Sequence, residues 1–168
     1  LAHIPEDRQR MGLVTEFKAH ENLIFGYHYQ EPYSKSSILQ EKEIMSFSKK
    51  VMEEYDVRPR SPNLMTSNFS GGNQQKIILS RELNENPKVL LIGQPTRGVD
   101  IGAIEFIHQR LIDMRDKGAA ILLVSVELEE VLSLSDRIIV MFDGNIVGEK
   151  VNKDVTDRDL GLLMAGVA

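Results

Sequence analysis

The chain has 168 residues, 42% hydrophobic and 27% charged, with 20 Lys plus Arg against 25 Asp plus Glu for a net charge of −5, and no Cys. This length and composition build one domain with a real core, or a large piece of a bigger one, and exclude a disordered tail. The acidic balance argues against a polyanionic partner such as nucleic acid, and the lack of Cys excludes disulfides and thiolate metal sites and fits a reducing cytoplasm.

The chain opens at Leu1 without an initiator Met, so a piece of a longer protein is expected, and the visible N-terminus carries no signal-peptide pattern. Residues 119–124 and 138–142 are the longest unbroken apolar runs, far short of the roughly 18 to 20 residues that cross a bilayer. The stretch 20–68 is polar and helix-prone. Within it "SILQEKEIMSFSKKVMEEYDV" places Ile38, Ile44, Phe47, Val51, Met52 and Tyr55 near helical spacing, predicting one amphipathic helix. Pro32 and the serines of "EPYSKSS" form a turn before it, and Pro59 and Pro62 stop it.

After Asn68 strands and helices alternate: "KVLLI" reads as a strand, "IGAIEFIHQRLIDMRDKG" as a helix and "AAILLVSV" as a buried strand. "ELEEVLSLS" is a short helix, and "DRIIVMF" and "NIVGEK" are strands joined by a tight turn at Asp143-Gly144. "TDRDLGLLMAG" is a last helix, capped by Thr156 and fading at Gly166. The order predicts an α/β fold: a mainly parallel sheet with helices on both faces, an antiparallel terminal hairpin added at its edge, and a helical insertion. The four His residues, His3, His20, His28 and His108, show no i, i+4 pairing, so no His metal centre is expected.

In "NFSGGNQQKIILSREL", Ser70, Gly71 and Gly72 stand directly before a strong helical run. Backbone N–H groups left uncovered by glycine at the positive end of a helix dipole, with a hydroxyl beside them, make an anion cradle. A Ser N-cap followed by flexible glycines explains the same three residues without a ligand. Lys76 and Arg81 are expected to face solvent or to pair with Glu82 and Glu85, and Met45, Met52 and Met65 to lie in the core. Phe17, Phe25, Tyr27 and Tyr29 fit either core aromatics or a docking patch.

Ser70-Gly71-Gly72-Asn73-Gln74-Gln75-Lys76, a helix through Arg81, a strand over residues 89–92, then Pro95-Thr96 and Asp100, resembles the signature-to-Walker-B region of ATP-binding cassette ATPases. The form SGGNQQK with PTRGVD is similar to the sugar and nucleoside uptake branch, whose ATPase subunits carry two cassettes in one polypeptide, and "GQPTRGVDIGAIEFIHQRL" is similar to the second cassette of its nucleoside-uptake members. The likeness runs from "HIPEDRQRMGLV" to "DRIIVMFDGNIVG".

The resemblance implies a P-loop NTPase-like cassette fragment: a Q-loop-like segment over 1–19, a helical signature subdomain over 20–68 and a Walker B/D-loop core over 69–168. It places Ser70, Gly71, Gly72, Asn73 and Gln74 in the signature that contacts ATP held by an opposite cassette, Glu6 at the Q-loop in place of the usual Gln, and Asp100 in the D-loop. Gly93 takes the Walker B Asp position, Gln94 the catalytic Glu position and Val126 the switch-histidine position. Gly93 cannot help hold Mg²⁺, and Gln94 can hydrogen-bond water but accepts no proton at pH 7, so a half-site without turnover is expected. The phosphate-cradling G-x-x-x-x-G-K-[ST] is absent from the chain; the family carries it before the Q-loop, so truncation at Leu1 is expected.

The implied cofactors are ATP and Mg²⁺. The implied partners are a first cassette of the same protein, membrane permease subunits and, indirectly, a substrate-binding protein, at the cytoplasmic face of the membrane. A non-hydrolysing structural or regulatory cassette is the alternative, and a soluble cassette acting on DNA or ribosomes is disfavoured by the charge. An acid at Gly72 is expected to stand between the backbone N–H groups and a γ-phosphate while leaving the fold intact.

Overall fold

The computed structural model describes residues 1–153 and 155–166, so residues 154, 167 and 168 of the expected C-terminal core lie outside the described residues. The chain forms two compact units, Leu1–Leu122 and Leu123–Ala168.

In the first unit β1 (Ala2–Ile4) lies parallel to β4 (Val89–Gly93), pairing Ala2 with Leu90, His3 with Leu91 and Ile4 with Ile92. The sheet order is β1-β4-β5, with β5 (Ala120–Val124) beginning in this unit. Ala2, Ile4, Leu90 and Ile92 are buried, the alternate positions that the pleat turns to one side. Between β1 and β4 come α1 (Ala19–Leu23), a hairpin of β2 (Ser34–Lys35) and β3 (Ile38–Leu39), α2 (Glu41–Glu54) and α3 (Gly71–Asn84), and β4 leads to α4 (Ile101–Asp116).

α3 is enclosed rather than amphipathic: the consecutive Ile77, Ile78 and Leu79 are all fully buried, and Gln74, Gln75, Ser80 and Arg81 with them. Three consecutive residues point in three directions around a helix, so α3 is covered on several sides. α2 keeps the expected stripe, with Ile44, Ser48, Val51 and Met52 buried, but starts at Glu41. Ile38 and Leu39 are exposed in β3 because Ser36 and Ser37 take left-handed conformations (φ 50° and 64°), which make a tight hairpin and cannot continue a right-handed helix.

The C-terminal end of α2 is bound to α3 and α4. Lys76 donates to the Asp56 carbonyl oxygen (3.1 Å), pairs with the Asp56 carboxylate (3.7 Å) and lies 4.8 Å over the Phe106 ring. Arg110 stacks on Tyr55 (4.7 Å) and Phe106 (5.1 Å) and donates to the Glu54 carbonyl oxygen (2.7 Å). Lys76 is thus largely buried instead of facing solvent, its ammonium group set over the Phe106 ring of α4. Arg81 pairs with Glu82 as expected (2.9 Å) while itself buried. Met52 is in the core, whereas Met65 is exposed.

β5 departs from the expected buried strand: Leu122 is 58% exposed and Val124 60%. Apolar composition states what a strand tolerates; which of its faces is covered depends on neighbouring layers, and the pattern does not specify them.

The second unit holds α5 (Leu128–Leu134), β6 (Arg137–Phe142), β7 (Asn145–Val151) and α6 (Asp157–Met164). β6 and β7 pair antiparallel in a two-stranded sheet of their own rather than as an added edge, because alternation marks a strand without naming its partner. Ile138, Val140 and Leu160 form its core, flanked by Leu128, Val131, Leu132, Val147 and Leu163. Thr156 caps α6 with a reciprocal bond to Asp159.

Candidate functional site

Ser70 is the N-cap of α3, its Oγ accepting from the Asn73 side-chain amide (2.9 Å) and backbone N–H (3.4 Å). Asn73 is held in turn by Arg58, whose backbone N–H donates to its Oδ1 (2.6 Å). Gln74 is buried, donating to the Thr66 carbonyl oxygen (3.1 Å) and accepting from Gln9 Nε2 (3.2 Å). As the first N–H groups of a 14-residue helix, those of Gly71 and Gly72 have no intrahelical acceptor and sit at the positive end of its dipole. Ser70 itself is exposed and Gly71 half-buried, whereas Gly72 is buried.

The two glycines are small for an inward reason. A Cβ on Gly71 would stand 2.6 Å from Arg8 Nη2 and 2.9 Å from the Gly98 carbonyl oxygen. On Gly72 it would stand 3.0 Å from Asp100 Oδ2 and 3.1 Å from Ala103 Cβ. A side chain at Gly72 therefore crowds Asp100 and the start of α4, which weighs against the expectation that an acid there leaves the fold intact. An acid would press one carboxylate against another.

Asp100 caps α4 through Oδ1, which accepts from the Ala103 N–H (3.0 Å). The loop before it turns on two backbone bonds, Arg97 N–H to the Gln94 carbonyl oxygen (3.2 Å) and Val99 N–H to that of Thr96 (3.3 Å), with Gly98 in a left-handed conformation (φ 64°). Glu6, just past β1, forms an ion pair with Arg97 (2.5 Å).

The end of β4 lies against this same segment. The parallel register that matches Ile4 with Ile92 brings Glu6 next to Gly93, where a Cβ would stand 3.3 Å from the Glu6 backbone nitrogen and 3.5 Å from its Cβ. Gln94 follows in a left-handed conformation (φ 47°), sparsely populated by residues other than glycine. Neither position carries a carboxylate, and the described residues contain no group of three His, Cys, Asp or Glu able to hold a metal ion. The residues at Gly93 and Gln94 thus do not fit a bound Mg²⁺.

Glu6, the 70–74 turn, Gly93, Gln94 and Asp100 all lie in the first unit, and Val126 lies in the second, 62% exposed between β5 and α5. Sequence reasoning missed Arg8, Gln9 and Arg97. Their spacing carries no signal of its own; the cue is the capping Asp7, which accepts from the Gln9 and Arg10 N–H groups (3.2 and 3.0 Å) and winds residues 8–12 into one π-helical turn facing α3.

Over 166 residues, 99% of the chain, the sequence is 48% identical to the nucleoside import ATP-binding protein NupA of Lactococcus lactis and 46% identical to the guanosine import ATP-binding protein NupO of Bacillus subtilis. The chain is a homologue of the ATP-binding-cassette import ATPases. It spans 33% and 32% of the length of those two relatives. No family model matches it. Among solved structures, the dimeric post-hydrolysis state of an ATP-binding cassette bound to ADP and Pi superposes with a TM-score of 0.70 at 24% identity, covering 92% of this chain and 63% of that one. The α/β cassette fold with its parallel strands, helices and terminal hairpin is thereby shared. Among the described residues no helix is long and apolar enough to cross a membrane.

Proposed function

We propose that the chain is the C-terminal part of a second, degenerate cassette in the ATP-binding subunit of a nucleoside or simple-sugar importer. It supplies the signature residues Ser70, Gly71, Gly72, Asn73 and Gln74 to ATP held by the first cassette of the same protein. The observation carrying this reading is the contrast between a signature turn capped by an exposed Ser70 and a β4 end whose residues at the two positions in question are Gly93 and Gln94. Relatives whose printed names are nucleoside, guanosine and ribose import ATP-binding proteins support the substrate class.

In this role the Gly71 and Gly72 N–H groups and the Ser70 hydroxyl bind and orient the terminal phosphate, using the helix dipole rather than a charged side chain. Mg²⁺ neutralises phosphate charge when bound with ATP at the first cassette; this chain contributes no ligand to it. At its own site Gln94 can hydrogen-bond a water but cannot take its proton, a deficit of roughly 10² to 10⁴ in rate. Asp100 holds the start of α4 against Gly72, fixing the D-loop beside the signature. The block 20–68, with Phe17, Phe25 and Tyr29 exposed at and near its start, faces permease subunits at the cytoplasmic side of the membrane, where the subunit is peripheral and a substrate-binding protein acts indirectly.

Ser70 gives a clean test, because Asp and Asn are both good N-caps whereas only Asp sets a negative charge before the phosphate. In the full-length protein Ser70→Asp should abolish ATP turnover while Ser70→Asn retains most of it, with both melting like the parent. Equal turnover in all three proteins would replace this reading with that of a structural or regulatory cassette.

A further inference from the structure

Arg8 has no assigned role, yet its guanidinium sits where three functional segments meet. Nη1 donates to the Arg97 carbonyl oxygen (2.6 Å) and Nη2 to that of Gly98 (3.4 Å), both in the loop that ends at Asp100. Nη2 also occupies the space beside Gly71, 2.6 Å from where a Cβ would be, and lies 3.5 Å from the same point on Gly98. Its own loop is tied to the same place by the Glu6–Arg97 ion pair and by the Gln9–Gln74 hydrogen bond.

We infer that Arg8 is a positioning residue that sets the spacing between the signature turn and the 95–100 loop, so that both reach the opposite cassette's nucleotide in register. This rests on the proposed delivery of the signature in trans. A planar guanidinium suits this position because two of its donors fork onto successive carbonyl oxygens while its flat edge fills the gap that glycine leaves. Stability alone does not explain the choice, since Arg8 Nε is buried with no hydrogen-bond partner among the described residues, a cost that a smaller apolar residue avoids. The same packing explains why position 71 is glycine: a side chain there would displace the arginine.

The displacement of a catalytic group by about an ångström costs up to roughly a hundredfold in rate, and nucleotide affinity rests chiefly on the other cassette's phosphate loop. In the full-length protein Arg8→Ala should therefore lower kcat for ATP roughly ten- to a hundredfold and leave KM within about twofold. Arg8→Lys, which can reach one carbonyl oxygen but not fork onto two, should fall between Arg8→Ala and the parent. The test measures kcat, KM and thermal melting for Arg8→Ala, Arg8→Lys and Ser70→Asp side by side. If Ser70→Asp abolishes turnover while Arg8→Ala keeps the parent kcat per folded molecule, or shows only a raised KM, or if Arg8→Lys is as impaired as Arg8→Ala, the Arg8 inference is overturned and the signature reading stands. If Ser70→Asp turns over normally, the signature reading fails and the Arg8 role falls with it.

Discussion

The N-terminus of α3 and the C-terminal end of β4 belong to the same unit and are braced by the same few residues after β1, yet they have kept opposite things. At α3 the parts proposed to bind an anion are all present: the Ser70 cap, two glycines with small inward faces, and the Arg58, Thr66 and Gln9 contacts that fix Asn73 and Gln74. At β4 the strand keeps its parallel register with β1, and on the proposed reading Gly93 and Gln94 at its end lack the carboxylates that would do chemistry. Scaffold and chemistry are separable. On the proposed reading a cassette can lack acids at the end of a strand without disturbing a turn of helix close by, because acids contribute charge and the turn contributes shape.

That separation can be strained first at Gly72. Gly72→Asp forces a buried carboxylate toward Asp100 and Ala103 and should destabilise the fold by about 3 kcal/mol or more, read by chemical denaturation. A denaturation midpoint equal to the parent's would mean that Gly72 does not pack inward. Asp100→Ala removes the cap of α4 and should cost about 1 kcal/mol, with Asp100→Asn recovering most of it. A smaller effect is expected from Gly93→Asp with Gln94→Glu in the full-length protein. Turnover should change by less than about twofold, because on the proposed reading Val126 still takes the place of the histidine, and the new Cβ must push on Glu6. A large rise in phosphate release would show that the remaining groups suffice for chemistry.

The smallest effect expected is at the base of α2. Hydrogen bonding from Arg58 holds the Asp56 carboxyl below its ordinary range, helped by the charges of Arg58, Lys76 and Arg60 against a modest opposing effect of burial. A depressed folded-state value means fewer protons bound when folded, so the stabilisation is present above the ordinary carboxylate range and is lost as pH falls through the folded value. Asp56→Asn should therefore flatten the acid limb of the stability profile slightly. An unchanged acid limb would show that these exposed ion pairs contribute nothing measurable.

Much of the fold was legible because its cues are local. Ser70 and Thr156 announce helix starts, Asp143-Gly144 a hairpin, and the apolar run of β4 a strand. β1 was missed because three residues carry no periodicity, and Ile38 was misplaced because helical spacing says nothing of two serines that turn left-handed just before it. The exposure of β5 depends on layers rather than on its own composition. At the candidate site, the Ser70 cap and the absence of carboxylates at Gly93 and Gln94 were readable one residue at a time. The inward packing of Gly71 and Gly72 was not, since it depends on Arg8 and Asp100 meeting α3 from positions 63 and 28 residues away in sequence.

In the proposed two-cassette protein one ATP site works, the one this chain completes but does not hold. The most direct measurement is the number of ADP molecules trapped by vanadate per full-length protein, with and without Ser70→Asp. One is expected in the parent and none in the variant. Two in the parent, or one retained in the variant, would contradict the assignment of a single working site completed by Ser70.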